Sequence, residues 1–225
     1  MQVPILLSIS ELILGQKIVS SYEVAYGISL LQFVAILCYF KSKNMYVFDV
    51  PKESRSLLVV RSFLYCIGFL SFMKSMEFLN PIVAVIAHQT GLFTATTFFR
   101  LFYREGRERW FLILCLKMIF TDLCLLQGWV TYESIPVNEE DFLKKSHTNW
   151  EYYYQASIAL GLCSGSLLAI ASRFSNVLVR PGGLTHEAYI PLYAYGMSVA
   201  MIPVFIVTNS KRFNYLNKFG DVEIE

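Results

Sequence analysis

Charged side chains are scarce in this chain, because Asp, Glu, Lys and Arg make up only 16% of its 225 residues while hydrophobic residues make up 55%. This composition and a mean hydropathy of +0.48 exclude an ordinary soluble domain. The net charge of +2 is too small to indicate nucleic-acid binding. The chain contains instead a series of apolar blocks, each long enough to cross a hydrocarbon core of about 30 Å as a helix. We therefore predict an all-α, multi-pass membrane protein, with the lipid bilayer itself as a partner.

The sequence also lacks the common signatures of catalysis and metal binding. It has no G-x-S-x-G, no H-E-x-x-H, no phosphate-binding glycine loop and no aspartate pair within an apolar block. The five cysteines lie in apolar blocks without C-x-x-C spacing, which is typical of apolar packing residues. We predict that the protein is not an enzyme and uses no metal or cofactor.

Targeting signals are equally sparse. The amino-terminal residues lack the basic start of a secretory signal, and Glu11 and Lys17 interrupt the apolar stretch that such a signal needs, so we expect this stretch to be retained as a helix. No N-x-S/T sequon indicates a compartment. An integral membrane location is predicted, with the plasma membrane and an endomembrane (Golgi or ER) both left open.

The apolar blocks predict a polytopic bundle of about seven transmembrane helices, at residues 3–21, 23–40, 56–78, 81–103, 109–129, 152–178 and 187–208. Only Asn80-Pro81 separates the third helix from the fourth, so these two are expected to form a tight helical hairpin. We divide the chain into a five-helix unit at 1–130, an acidic loop at 131–151, a two-helix unit at 152–208 and a polar tail at 209–225.

The basic residues of the loops predict the orientation of the bundle. They flank the connections after the second and fourth helices and open the one after the sixth: Lys41, Lys43, Lys52, Arg55, Arg100, Arg104, Arg107, Arg109 and Arg180. The positive-inside rule places these connections in the cytoplasm. The acidic loop then lies on the lumenal or extracellular side. Lys211, Arg212 and Lys218 disagree with this orientation: either the last helix does not fully cross, or the tail is an exception to the rule, or the chain stops before further helices that would bring it back, which is the interpretation we favour.

The stretch from 61 to 110 resembles a known family. It opens with Arg61, continues through the segment 72–76 to the turn 78–81 and the small-residue run 84–97, and closes with Arg104-Glu105 and Trp110. These features are similar to the EamA-like domain of the drug/metabolite transporter superfamily, and resemble solute carrier family 35, group G among others. The resemblance extends to the segment 166–180. It implies two five-helix repeats of opposite orientation that export or exchange small polar metabolites.

The chain departs from the pattern of that family in several places. Relatives often carry a proline in the fourth helix where this chain has Gly91-Leu92, and a glycine-rich end of the fifth helix where it has Lys117 and Asp122. Helices eight to ten are missing. We therefore expect a complete first repeat and an incomplete second one.

Ionisable residues inside the apolar blocks are the candidates for function, because charge in a bilayer is costly unless it faces protein or water. Arg61 and Arg173 lie near helix ends and can extend to lipid headgroups. Lys74 and Glu77 are three residues apart and can form an ion pair on one helix face, or Lys74 can contact an anionic solute. Lys117 and Asp122 are five apart, so each needs a different partner.

His88 and Gln89 lie nearer the middle of the fourth helix. His88 is either a neutral residue bonded to a neighbouring helix or part of a central cavity in which it binds a polar solute with Gln89 or carries a proton. Glu11 is the best candidate for proton coupling. The predicted substrate-binding or coupling residues are Glu11, Lys17, Lys74, His88 and Gln89.

Small residues predict where helices pack closely. Gly161-x-x-x-Gly165, continued by Ala169, and Gly91-x-x-x-Ala95 both allow close backbone approach. The partner helix lies either within the chain or on a second copy in a homodimer.

These observations give two functional hypotheses. The first is a transporter of a small polar or anionic metabolite, such as a nucleotide sugar, working by alternating access around a cavity between helices one, three, four and six. The alternative is a truncated, transport-incompetent family member that acts as a membrane interaction protein, or an incomplete gene product.

Overall fold

The structure, a computed structural model, describes residues 21–79, 81–103, 109–134, 150–180 and 182–209. Within these ranges the chain forms six α-helices and no strand: α1 (Ser21–Ser42), α2 (Lys52–Phe78), α3 (Pro81–Tyr103), α4 (Arg109–Ser134), α5 (Trp150–Leu178) and α6 (Tyr189–Asn209). These are the second to seventh predicted helices, and each end lies within five residues of its predicted position. The predicted helix at 3–21, most of the acidic loop and the tail after 209 lie outside the described residues.

Five of these helices are long and apolar enough to cross a membrane, over Ser21–Ser42, Lys52–Met76, Pro81–Leu101, Tyr154–Leu178 and Tyr189–Val207. The fold class is therefore that of a helical, multi-pass integral membrane protein. α4 is not among the five, and it carries Lys117 and Asp122 within its length.

Proline and an extended residue set the boundary between α2 and α3. The N–H of Leu79 still donates to the Ser75 carbonyl of α2, but the backbone of Leu79 is extended. α3 then begins at Pro81, whose missing N–H is not needed in the first turn of a helix.

The packing of the helices differs from the predicted hairpin. α2 and α3 follow each other directly, yet they touch each other little, because α5 lies between them and packs extensively against both. α6 packs against α1 and α2, and α4 packs against α3. The prediction of a tight hairpin is therefore wrong, since a short connection fixes where two helices meet at one end but not which helix fills the groove between them.

Two apolar clusters hold the bundle together. The larger one joins α2, α3 and α6 through fully buried residues such as Met73, Val83 and Ile202. The smaller one lies at the end of the bundle where the connections 43–51 and 179–188 meet. There the Tyr189 hydroxyl donates to the Tyr46 carbonyl at 2.7 Å, and its ring packs edge-on against Phe40. These two connections therefore lie at the same end of the bundle, which agrees with the orientation predicted from their charges.

Candidate functional site

His88 lies where α2, α3 and α5 meet. Its Nδ1 is 2.9 Å from the Oγ of Ser164 on α5, and its ring is 4.8 Å, centroid to centroid, from that of Phe72 on α2. Ser164 is fully buried and His88 half-buried. A side chain from each of the three helices thus defines a small polar centre, here called the His88 centre, inside an otherwise apolar bundle.

Glycines bring α3 and α5 close enough to form this centre. A Cβ built on Gly165 would overlap the carbonyl oxygen of His88, and one built on Gly91 would overlap that of Leu162. A Cβ on Gly161 would lie 2.8 Å from the Cβ of Ala87, closer than real carbon contacts. The two small-residue stripes therefore face each other within the chain, with Ala95 half-buried beyond Gly91. The Ser166 hydroxyl lies within reach of two carbonyl oxygens, that of Leu162 on its own helix at 3.0 Å and that of Gly91 across the contact at 3.3 Å.

The hydrogen bond to Ser164 fixes the orientation of the His88 ring but allows both of its neutral tautomers. If the serine hydroxyl donates to Nδ1, Nε2 carries the ring proton and is a donor; if Nδ1 carries the proton and donates to Ser164, Nε2 is an acceptor. The ring is therefore held in one orientation in both cases. Nε2 can bind either a donor or an acceptor by exchanging tautomers.

The other predicted solute contacts do not join the His88 centre. Gln89 is exposed on a different face of α3. Lys74 is half-buried near one end of α2, with its Nζ 5.5 Å from the centroid of the Tyr22 ring on α1. The ion pair predicted between Lys74 and Glu77 involves the Glu77 side chain, which lies outside the described part of the molecule, as do Glu11 and Lys17.

Arg61 has a larger role than its sequence position indicated. Its Nε donates to the Ser175 hydroxyl of α5 at 3.0 Å and its Nη1 to the Ile190 carbonyl of α6 at 3.3 Å. The guanidinium also lies 5.2 Å from the centroid of the Tyr65 ring, which packs edge-on against Tyr195. Arg61 thus joins α2, α5 and α6, and no extension to headgroups is needed to satisfy it. Sequence reasoning missed this because its partners are more than a hundred residues away.

Lys117 and Asp122 point to different sides of α4, as their spacing predicted. Lys117 is exposed. Asp122 is buried, and its side chain is hydrogen-bonded to that of Thr90 on α3. A carboxyl group therefore lies in the α3–α4 contact.

The described residues contain no group of three or more His, Cys, Asp or Glu side chains that could hold a metal ion. Of the cysteines whose side chains are described, Cys66 is buried, whereas Cys38, Cys124 and Cys163 are exposed on the bundle surface. The packing predicted for the cysteines is therefore seen at Cys66, whereas the other three lie on the outer surface of the described helices.

Comparison of the chain with known proteins adds no identification: no family model matches it, and neither a curated protein nor a solved structure does.

Proposed function

We propose that this protein transports a small polar or anionic metabolite across a membrane by alternating access. The observation that carries the proposal is the His88 centre, a hydrogen-bonded histidine and serine held between three apolar helices. A polar pair inside an apolar bundle costs free energy that an apolar pair would not, so its presence favours a role in solute binding or proton transfer. The resemblance to the EamA-like domain and to solute carrier family 35 supports the same function, with a nucleotide sugar as one substrate class.

The close packing of α3 on α5 restricts the positions that a solute could occupy near His88. The backbones of α3 and α5 touch at Gly91 and Gly165, which leaves no space for a solute between those two helices at that depth. The Phe72 ring of α2 packs on the imidazole of His88, so a solute that binds the imidazole would have to displace or adjoin that ring. Lys74, on α2, then provides a positive charge toward one end of the same helix.

A second candidate function is a membrane interaction protein without transport activity. The same close α3–α5 contact favours it, because backbone packing without an intervening space is what a purely structural helix pair needs. In that case the His88–Ser164 bond serves only to fix the register of the two helices.

A solute screen followed by uptake measurements distinguishes the two functions. Purified protein is first screened for metabolites that raise its melting temperature, and the hits are tested for uptake into proteoliposomes. We expect His88→Ala to reduce uptake at least tenfold, because it removes both ring nitrogens. His186→Asn is the matched control, since His186 is exposed in the 179–188 connection and asparagine keeps an acceptor for the Ala188 N–H.

Two results would count against the proposal. One is uptake that is unchanged in His88→Ala and in Glu11→Ala, which would leave transport standing but remove both residues from its mechanism. The other is a stably folded protein that no metabolite stabilises and that moves none of them, which would support the interaction protein.

A further inference from the structure

Asp122 is a buried acidic residue that the transport proposal does not use. It lies on the side of α4 that faces α3, and only 9% of its surface is exposed. Its Oδ2 atom is buried and has no hydrogen-bond partner among the described residues, while the side chain is bonded to that of Thr90. A buried carboxylate normally accepts several hydrogen bonds, so this surrounding is poor for a negative charge.

The hydrogen bonds of Thr90 indicate which group carries the proton between these two side chains. The Thr90 hydroxyl donates to the Ile86 carbonyl of its own helix at 2.8 Å. A threonine hydroxyl has one hydrogen and can only accept in any further bond. An ionised carboxylate can only accept as well. With the threonine hydrogen on the Ile86 carbonyl, the bond between Asp122 and Thr90 is satisfied when the carboxyl group is neutral and donates its own proton to the threonine oxygen.

No described charged group faces Asp122 to stabilise its ionised form. α4 packs mainly against α3, whose titratable side chains in the described part are His88 and Arg100. His88 points to Phe72 and Ser164 on other helices, and Arg100 lies ten residues beyond Thr90, about 15 Å along the helix. On α4 itself, Lys117 is exposed on another face. A second hydroxyl on this face of α3, that of Thr97, seven residues after Thr90, is buried and finds no hydrogen-bond partner in the described part of the chain.

We propose that Asp122 is a proton-binding site at the α3–α4 contact, protonated and donating to the Oγ1 of Thr90 while α4 packs on α3, and ionised when α4 moves away. Each separation of α4 from α3 then releases one proton, and each return binds one. The proposal does not rest on transport activity, since it concerns the packing of one helix on another.

Infrared spectroscopy of the full chain in lipid nanodiscs tests the protonation directly. A neutral carboxylic acid has a carbonyl stretch at higher frequency than a carboxylate. Near neutral pH we expect such a band in the native protein and its loss in Asp122→Asn. Glu187→Gln, which changes an exposed acidic residue, is the matched control and should keep the band. Only the part of the band that Asp122→Asn removes is counted, because Glu11 can also contribute.

Thr90→Val provides an independent variant if Asp122→Asn does not fold. It removes the acceptor and keeps the carboxyl group, so the band should remain and move to higher frequency. An absent band, or one that neither substitution changes, would overturn the proposal and show that the threonine donates to an ionised carboxylate.

Thermal unfolding as a function of pH tests the link to packing. The packed state holds a proton that the unpacked state releases, so the packed state binds more protons and loses stability as pH rises. The melting temperature of the native protein should therefore fall with rising pH relative to Asp122→Asn, whose amide cannot ionise. A difference between the two proteins that stays constant with pH would contradict the proposal, even if transport is later demonstrated.

Discussion

Substitution of Gly165 by alanine tests the contact on which the His88 centre depends. The added methyl group would overlap the carbonyl oxygen of His88 and lie 2.6 Å from the amide nitrogen of Leu92. Both atoms belong to the backbone of α3 and cannot rotate away as a side chain can. The two helices must therefore separate, and their separation also stretches the 2.9 Å contact between His88 and Ser164.

The expected loss of stability follows from overpacking. An extra methyl group in a tightly packed contact costs about 1–3 kcal/mol, and the rigid backbone on the opposite side places this site at the upper end of that range. For a protein of this size each kcal/mol lowers the melting temperature by roughly 2–4 °C. We therefore expect Gly165→Ala to lower the melting temperature by roughly 4–12 °C.

Gly128→Ala is the matched control. Gly128 lies inside α4, is exposed, and has no atom within 4 Å of the position of an added Cβ. Alanine is favoured over glycine in a helix by up to about 1 kcal/mol, so this variant should be as stable as the native protein or more so. Thermal unfolding of both variants in the same detergent, followed by circular dichroism, gives the comparison. Equal melting temperatures for the two variants would refute the assigned α3–α5 contact.

Two further predictions concern the other polar contacts between distant parts of the chain. Arg61→Gln should lower the free energy of unfolding by about 2 kcal/mol, because it removes a charged donor to Ser175 and Ile190, whereas Ser175→Ala should cost less because the bond to Ile190 remains. Denaturant titration of both variants checks this order, and a larger loss for Ser175→Ala would contradict it. Tyr189→Phe should cost about 1 kcal/mol by removing the bond to the Tyr46 carbonyl while keeping the ring against Phe40. Tyr46→Phe, which changes an exposed ring and keeps that carbonyl, should leave the melting temperature unchanged, and an equal effect of the two would show that the bond contributes nothing.

The positions of the helices could be predicted because the signal for them is local. An apolar run of spanning length forms a helix in lipid whichever helix it later packs against, since only an internally bonded backbone is stable there. Each of the six described helices therefore lies close to its predicted range. That Lys117 and Asp122 point to different sides of α4 followed from helix periodicity in the same way.

The partners of these helices were decided by the tertiary structure. Lipid tails are as apolar as leucine, so the choice of neighbour depends on the shape of small residues and on a few hydrogen bonds rather than on hydrophobicity. The glycine spacing predicted close packing on α3 and α5, but only the fold shows that these two stripes meet each other and that α5 separates α2 from α3. The same applies to Arg61 and Ser175, which are 114 residues apart, and to His88 and Ser164, which are 76 apart. Residue type and spacing determined that such groups needed partners, and the arrangement of helices in space determined which partners they found.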